Sequence, residues 1–407
     1  QSPIAATAQP ALGRLLESVG RVNDDTIQAK AGTIGFLFTI FALNMLSRLG
    51  LAPLLPSIET DLSLSHASAG SLFLFMSVGY GSGLFGSTFI SAKICHHHQI
   101  VLSSVAVGVS LLAFSLSASL LTLQASLFVL GFSGGLYLPS GVATLTALVR
   151  RPDWAKVLSL HQLAPNLAYI CSPLIAQVLL QNHSWRLVVA LYGGGAIVIG
   201  ISYQVVGKPE YIYSEAPTLA NVRAMLGTPA IWIMILLFSL ALGVNQGLFS
   251  ILPLYLTTER GLSAAMANHL LAISRAVAFA MPLLSGWAAD RYGLKRVMLI
   301  AVAASSAATL LVATLPGAML GAGLIFQAGA SVCFFPLGFA ALSRITHDRN
   351  RNMAVALTVP FSHFFGAGMV PAMIGLAGDT IGFAWGIGAL GAMTIAGLIL
   401  LKLIKLS

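Results

Sequence analysis

Gly286-Trp287-Ala288-Ala289-Asp290-Arg291-Tyr292-Gly293-Leu294-Lys295-Arg296 is a short charged turn between two long apolar runs, 264–289 and 294–314. The chain passes from one run to the next with no room for a loop over a soluble core. Runs of about twenty apolar residues with such abrupt breaks fit helices that cross a hydrocarbon layer ~30 Å thick.

Outward from that turn the same alternation recurs along the whole chain. The runs read as 32–55, 67–91, 100–117, 122–148, 157–180, 185–206, 229–256, 264–289, 294–314, 317–342, 352–377 and 382–402. Composition agrees, with 57% of residues hydrophobic and 8% charged, where a soluble domain carries roughly a quarter charged residues. No ten-residue segments of alternating polarity stand out, which argues against a barrel. The expected fold class is an all-α polytopic membrane protein of twelve transmembrane helices.

The net charge of +9 invites a nucleic-acid reading, but the positions of the bases reject it. Of the 21 Lys and Arg, 17 fall in segments on one side of the runs, against Arg186 and Arg260 on the other and two within runs. That asymmetry is the positive-inside bias, which places both termini in the cytoplasm; the inner membrane is the expected location because helical bundles of this kind go there. The longest polar interruption, 207–228, divides the chain into a bundle at 32–206 and another at 229–402. Residues 1–31 read as a polar cytoplasmic arm without a cleavable signal pattern, and 403–407 as a short tail. Cys95, Cys171 and Cys333 lie in a loop and two separate runs, and read as small packing residues with no disulfide framework.

The two halves echo each other. Arg48-x-Gly50-x5-Pro56 in run one stands opposite Asn245-x-Gly247-x5-Pro253 in run seven, and Pro139-x-Gly141 opposite Pro336-x-Gly338. The charged turn at 286–296 resembles the inner-loop motif G-x3-D-R-x-G-x-K-R of the major facilitator superfamily, through Gly286, Asp290, Arg291, Gly293, Lys295 and Arg296. Together with twelve runs and a central linker, the resemblance covers nearly the whole chain. It implies two pseudo-symmetric six-helix bundles with the substrate between them at mid-depth. It also implies that Asp290 and Arg291 latch neighbouring helix ends and favour the outward-open state. The first copy of the motif departs from the pattern. Gly86 remains, but Ile90 and Ser91 replace the acid and the arginine, and Cys95, His96, His97 and His98 follow. Those four could hold a soft metal; a polar loop with no metal is the expectation.

None of the twelve acidic residues lies inside an apolar run, yet Arg48 and Arg275 do. A charge at bilayer depth costs several kcal/mol even on lenient scales, so it persists where it faces a cavity or a partner. With no carboxylate at similar depth, the counter-ion expected is an arriving anion. For Arg48 the alternative is snorkelling to the headgroups; for Arg275 it is a bond to a backbone carbonyl. Two guanidiniums ~8 Å apart at an effective dielectric near 20 repel by roughly 2 kcal/mol. A bound anion removes that repulsion and draws the halves together.

By resemblance, runs one, four, seven and ten line the cavity. Asn245 and Gln246 stand at the repeat position facing Arg48, and Tyr137 and Gln327 complete the substrate-binding candidates. Asn44, Tyr80, Gln124, Gln162 and Asn166 are further polar groups on the probable lining, each commonly a packing bond in membrane helices. His161 and His363 are the proton-coupling candidates.

The drug antiporters of this superfamily carry a Gly-rich helix five, whereas 157–180 contains no glycine. An intramembrane acid, used by those antiporters and by many sugar–proton symporters, is also missing. Nitrate transporters have Gly-rich signatures on helices five and eleven, of which only Gly366-x-Gly368 is present.

The expectation is a monomeric transporter of a small organic anion, with membrane lipids as its other partners and no cofactor. It would act by exchange (antiport), facilitated diffusion, or proton symport through His161 or His363. The competing readings are an exporter of amphipathic or neutral compounds and a transporter-like sensor. No nucleophile–base pair and no G-x4-G-K-[ST] loop argues for an enzyme.

Overall fold

The computed structural model describes residues 30–207, 213, 226–317, 319–346 and 351–404, and every regular element among them is helical. The N-terminal arm, nearly all of the central linker and the last three residues fall outside these. Among the described residues the helices group into twelve rods. The first six are α1 (Ala31–Leu49 and Leu51–Leu62), α2 (His66–Ile90), α3 (His96–Ser115), α4 (Leu120–Leu148), α5 (Trp154–His161 and Leu163–Leu179) and α6 (Trp185–Val206). The second six begin with α7, which runs through Pro229–Leu242, Gly243–Gly247, Leu248–Leu254 and Tyr255–Glu259. Then come α8 (Ala264–Ala278 and Met281–Tyr292), α9 (Leu294–Thr314), α10 (Met319–Val332 and Phe334–Ile345), α11 (Arg351–Ser362, His363–Met369 and Val370–Thr380) and α12 (Phe383–Leu403).

Eleven of these rods are long and apolar enough to cross a membrane. The exception is α5, which the apolar run 157–180 presents as one helix. It breaks at Gln162. Pro165 has no N–H to give the His161 carbonyl, and its ring crowds that oxygen, so the ladder opens just ahead of it. The same offset recurs at three other prolines. Pro53 follows the break at Gly50, Pro282 the one at Phe279–Ala280, and Pro336 the one at Cys333. Pro139 and Pro173 leave their helices continuous. Three of the four breaks, in α1, α8 and α10, lie near the middle of their rods, where a bilayer's centre would be.

Acids and bases finish the rods at the face opposite the termini. Arg186 donates to the carbonyls of Ser115 and Ser117 at the end of α3, both at 2.8 Å. Arg260 does the same for α9 through the Ala313 carbonyl at 2.7 Å. A cation at a helix C-terminus meets orphan carbonyls and the negative end of the dipole. Glu259 completes the set by accepting from the Ala384 N–H, 3.1 Å away, at the start of α12.

The two halves meet at that same far face. The Asp379 carboxylate, at the end of α11, accepts from the backbone N–H groups of His66 (2.9 Å) and Ala67 (2.8 Å) at the start of α2. The His66 ring reaches Glu59 of α1 at 2.9 Å. Below them α2 and α11 touch backbone to backbone, so that a Cβ on Gly70 would stand 2.4 Å from the Pro371 carbonyl oxygen. The far segments of α5 and α8 pack together, with Asn268 donating to Gln177 at 3.5 Å. On the terminal side the contact between halves is carried by α2 and the Arg351–Ser362 segment of α11, where a Cβ on Gly81 would stand 3.2 Å from the Pro360 carbonyl oxygen. Among the described residues, the terminal-side segments of α5, α8 and α10 pack extensively only within their own half.

The departed first motif is anchored within the first half. His96 Nδ1 bonds the Ser140 hydroxyl at 3.0 Å, His97 packs on the Tyr203 ring with centroids 4.6 Å apart, and His98 meets Cys95 Sγ at 3.2 Å. His96 thus turns to α4 and His97 to α6, while the His97 and His98 rings also meet edge-on with centroids 5.5 Å apart.

Candidate functional site

Arg48 is 4% exposed and lies near the midpoint of the rod Ala31–Leu62. The snorkelling alternative fails, because α1 extends two more turns past the apolar run and puts the guanidinium at mid-depth. It lies over the Tyr80 ring of α2, 3.9 Å from the centroid, and donates to the Met45 sulfur at 3.1 Å. A thioether is a weak acceptor. Its Nε–H is buried with no partner among the described residues.

Arg275, 5% exposed, lies one turn before the break in α8. Its Nη2 donates to the Asn245 carbonyl at 2.7 Å, and its guanidinium lies over Tyr169 (4.4 Å) and Phe249 (4.8 Å). The carbonyl bond expected as the structural alternative is therefore present, but it uses one donor of five. Nη1 is buried and has no partner among the described residues. The acceptor comes from a widened π turn at Gly243–Gly247, the local irregularity at which i→i−4 bonding gives way to i→i+5. That turn occupies in α7 the place that the Gly50 break occupies in α1, as the repeat between Arg48-x-Gly50 and Asn245-x-Gly247 implied.

Tyr169 joins the two sides. This α5 residue sits under Arg275 and donates to Asn245 Oδ1 at 3.1 Å. Its ring also meets Phe249 edge-on at 4.9 Å. Sequence reading passed over it. The available signal was a tyrosine at the middle of an apolar run, away from the interfacial belts where tyrosine is usual.

The remaining candidates divide. Asn245 is at the centre, its amide donating to Ser331 at 3.0 Å. Gln246 is half-buried beside it, and its side chain has no hydrogen-bond partner among the described residues. Gln327 spends its amide on the Val244 carbonyl at 2.6 Å, a bond between α10 and α7. Tyr137 and His161 form a separate cluster inside the first half. The Tyr137 hydroxyl donates to the Leu37 carbonyl at 2.6 Å and lies 3.0 Å from His161 Nε2, while Phe41 stacks on the imidazole at 4.2 Å. If the hydroxyl proton goes to Leu37, His161 must carry its own on Nε2. His363 is nearer the arginines: its Nδ1 donates to the Val359 carbonyl at 2.9 Å and its ring packs on Tyr80 at 4.7 Å. Asn44 and Gln124 make helix-packing bonds, to Gly134 O and Ser71 Oγ; Asn166 bonds back within α5 to the Gln162 carbonyl, and Gln162 itself is exposed at the α5 break.

Electrostatically the layer is one-sided. The described acids (Glu59, Asp61, Asp153, Glu259, Asp290 and Asp379) sit at rod ends or in a loop, and none at the arginines' depth. A desolvated cation–π contact is worth about 2 kcal/mol, below the several kcal/mol per ion that burial costs. The aromatic rings hold the guanidiniums in place without neutralising them. What the layer can do chemically is accept negative charge.

No curated protein matches this chain in sequence. Solved structures match it in fold. A bacterial homologue of the human lysosomal transporter Spinster, in an inward-facing and occupied conformation, superposes with a TM-score of 0.79 at 15% identity, over 92% of this chain and 96% of that one. A D-xylose–proton symporter gives 0.74 at 17% identity, over 92% and 98%. A nucleoside transporter gives 0.76 at 12% identity, over 91% and 99%. The sequence profile of the Major Facilitator Superfamily matches residues 37–285 and again 247–406. By that match across nearly its whole length, the chain belongs to the major facilitator superfamily.

Proposed function

We propose that this transporter moves a small organic anion, a carboxylate or related oxyanion, by alternating access, with Arg48 and Arg275 holding the charge. The observation that carries the reading is the pair of buried guanidiniums, each with an N–H that has no partner, and neither with a carboxylate at its depth, among the described residues. An oxyanion supplies charge-assisted acceptors to both at once. The solved neighbours are described as carrying a sugar and nucleosides among other cargo, so the fold does not choose the substrate. The arginines are what favour an anion. Asn245, Gln246 and Tyr169 would orient it, and His363, beside Tyr80, is better placed than His161 to carry a coupled proton.

With both termini in the cytoplasm, as the positive-inside bias predicts, the far-face contacts between halves and the separate packing of the terminal-side segments of α5, α8 and α10 support reading this conformation as inward-facing. The test of function is counter-flow: liposomes loaded with unlabelled carboxylate should accumulate the labelled acid transiently against its gradient. Binding without any counter-flow would favour the sensor reading.

The latch is proposed alongside. Asp290 and Arg291 are exposed and have no hydrogen-bond or ion-pair partner among the described residues, as suits a contact made only when the terminal face closes. Asp290→Asn should therefore favour the inward-open state by up to about fivefold, since an ion pair of this exposure is worth at most about 1 kcal/mol. Cysteine labelling from each face reads that balance. Unchanged accessibility on both faces would sink the latch.

A further inference from the structure

A groove of about 390 Å³ runs between α2 and α11. Ser77, Ser82 and Phe85 line it from one side, and Ala356, Phe361 and Phe364 from the other. Phe85, Phe361 and Ser82 are exposed, and they lie on the surface that a bilayer would cover. The Ser82 hydroxyl is satisfied by its own helix, at the Val78 carbonyl, 2.8 Å away. The groove therefore offers an apolar wall with little demand for a polar guest.

Its ends are defined. Toward the far face α2 and α11 close on each other, where a Cβ on Gly368 would stand 2.8 Å from the Ser77 Cβ. Toward the terminal face it reaches Leu226. Behind its upper part the Tyr80 and His363 rings meet at 4.7 Å, and on Tyr80 lies the Arg48 guanidinium. Tyr80 and His363 adjoin Gly81 and Phe364, which line the groove, so the wall between groove and guanidinium is this aromatic pair together with the Gly81–Pro360 contact, where a Cβ on Gly81 would stand 3.2 Å from the Pro360 carbonyl oxygen.

We infer that the transported anion is amphipathic, its charged head on Arg48 and its alkyl tail in the α2–α11 groove, with Tyr80 and His363 as the door between them. Charge complementarity commits the occupant: a neutral lipid tail gains nothing from the arginine behind the door, and a cationic amphiphile is repelled by it. This rests on the anion reading above and narrows it to a class of substrate that enters from the membrane leaflet on the terminal side.

The test is a binding series of acetate, butanoate, hexanoate and octanoate on the full-length protein in nanodiscs, with alkylammonium ions of equal length as controls for partition into lipid. In the wild type, affinity should rise by about fourfold per methylene beyond butanoate, from ~0.8 kcal/mol per buried CH₂. Ala356→Phe, which fills the groove, should flatten that slope while leaving the acetate Kd within about twofold. Ser82→Phe, on the exposed rim, serves as a second filling variant should the first fail to fold. A flat wild-type slope, a slope that survives both fillings, or an equal slope for the ammonium series overturns the groove and leaves the anion reading standing. If no acid in the series binds, the anion reading fails and the groove falls with it.

Discussion

Arg48→Met should raise the melting temperature of the unliganded protein and abolish its response to carboxylates. Methionine is of similar length, unbranched and apolar, and it fills irregular space well. The substitution loses one cation–π contact, worth about 0.5–2 kcal/mol, and a weak bond to the Met45 sulfur. It removes a buried charge with an orphan N–H and no counter-ion. Replacing buried ionic groups by well-packed apolar ones is commonly neutral or stabilising by about 1–4 kcal/mol, so the sign should be toward greater stability. Arg275→Met should gain less, because it also gives up the 2.7 Å bond to the Asn245 carbonyl, worth about 1.5–3 kcal/mol for a charged donor. Transport should be lost in both. A strongly lowered melting point for Arg48→Met would mean that the guanidinium is part of the scaffold.

The second large effect separates two glycines that look alike in sequence. A Cβ on Gly131 would stand 2.0 Å from the Met76 carbonyl oxygen, between α4 and α2 of the same half. One on Gly70 would stand 2.4 Å from the Pro371 oxygen, between α2 and α11 of opposite halves. Contacts within a half persist through rigid-body rocking, whereas far-face contacts between halves must part for the far face to open. Gly131→Val should therefore cost folding outright, seen as lost expression or a strongly lowered melting point. Gly70→Val should fold and shift the balance toward the state open at the far face. Overpacking of about 1–3 kcal/mol corresponds to a population change of roughly 5–150-fold. Labelling of Ser57→Cys, with Cys95, Cys171 and Cys333 replaced by Ala, should accelerate accordingly. If labelling is unchanged in a well-folded Gly70→Val protein, the seam does not gate.

Much of this architecture could be read from the chain because a membrane restricts what sequence can do. A hydrocarbon layer forces every backbone group into helices, so twelve apolar runs gave twelve rods among the described residues and left Arg48 and Arg275 conspicuous. The repeat between Arg48-x-Gly50 and Asn245-x-Gly247 was also legible, since both mark irregular backbone at one depth. The form of that irregularity was not. A π turn at Gly243–Gly247 depends on what α7 packs against, and the residues within it are compatible with an ordinary helix. Prolines at 53, 165, 282 and 336 were visible, but Pro139 and Pro173 stand in continuous helices, so the residue alone does not fix a break. Tyr169 was missed because its role lies in a contact between halves, with Arg275 and Asn245 about eighty to a hundred residues away, and periodicity within one run carries no information about such partners. Depth misled in one place: the apolar run 32–55 ends sooner than the helix, which made Arg48 look closer to the surface than it is.

The most direct test of the arginine site compares a carboxylate with its own primary amide. The two have nearly the same shape and differ in charge, so thermal stability in their presence isolates what the guanidiniums recognise. A ligand at a hundred times its Kd stabilises the folded state by about 2.7 kcal/mol. The wild type should melt higher with the carboxylate and not with the amide, and Arg48→Gln combined with Arg275→Gln should erase the difference. Equal stabilisation by acid and amide, or a carboxylate shift that survives the double substitution, would contradict an anion site built on these two residues.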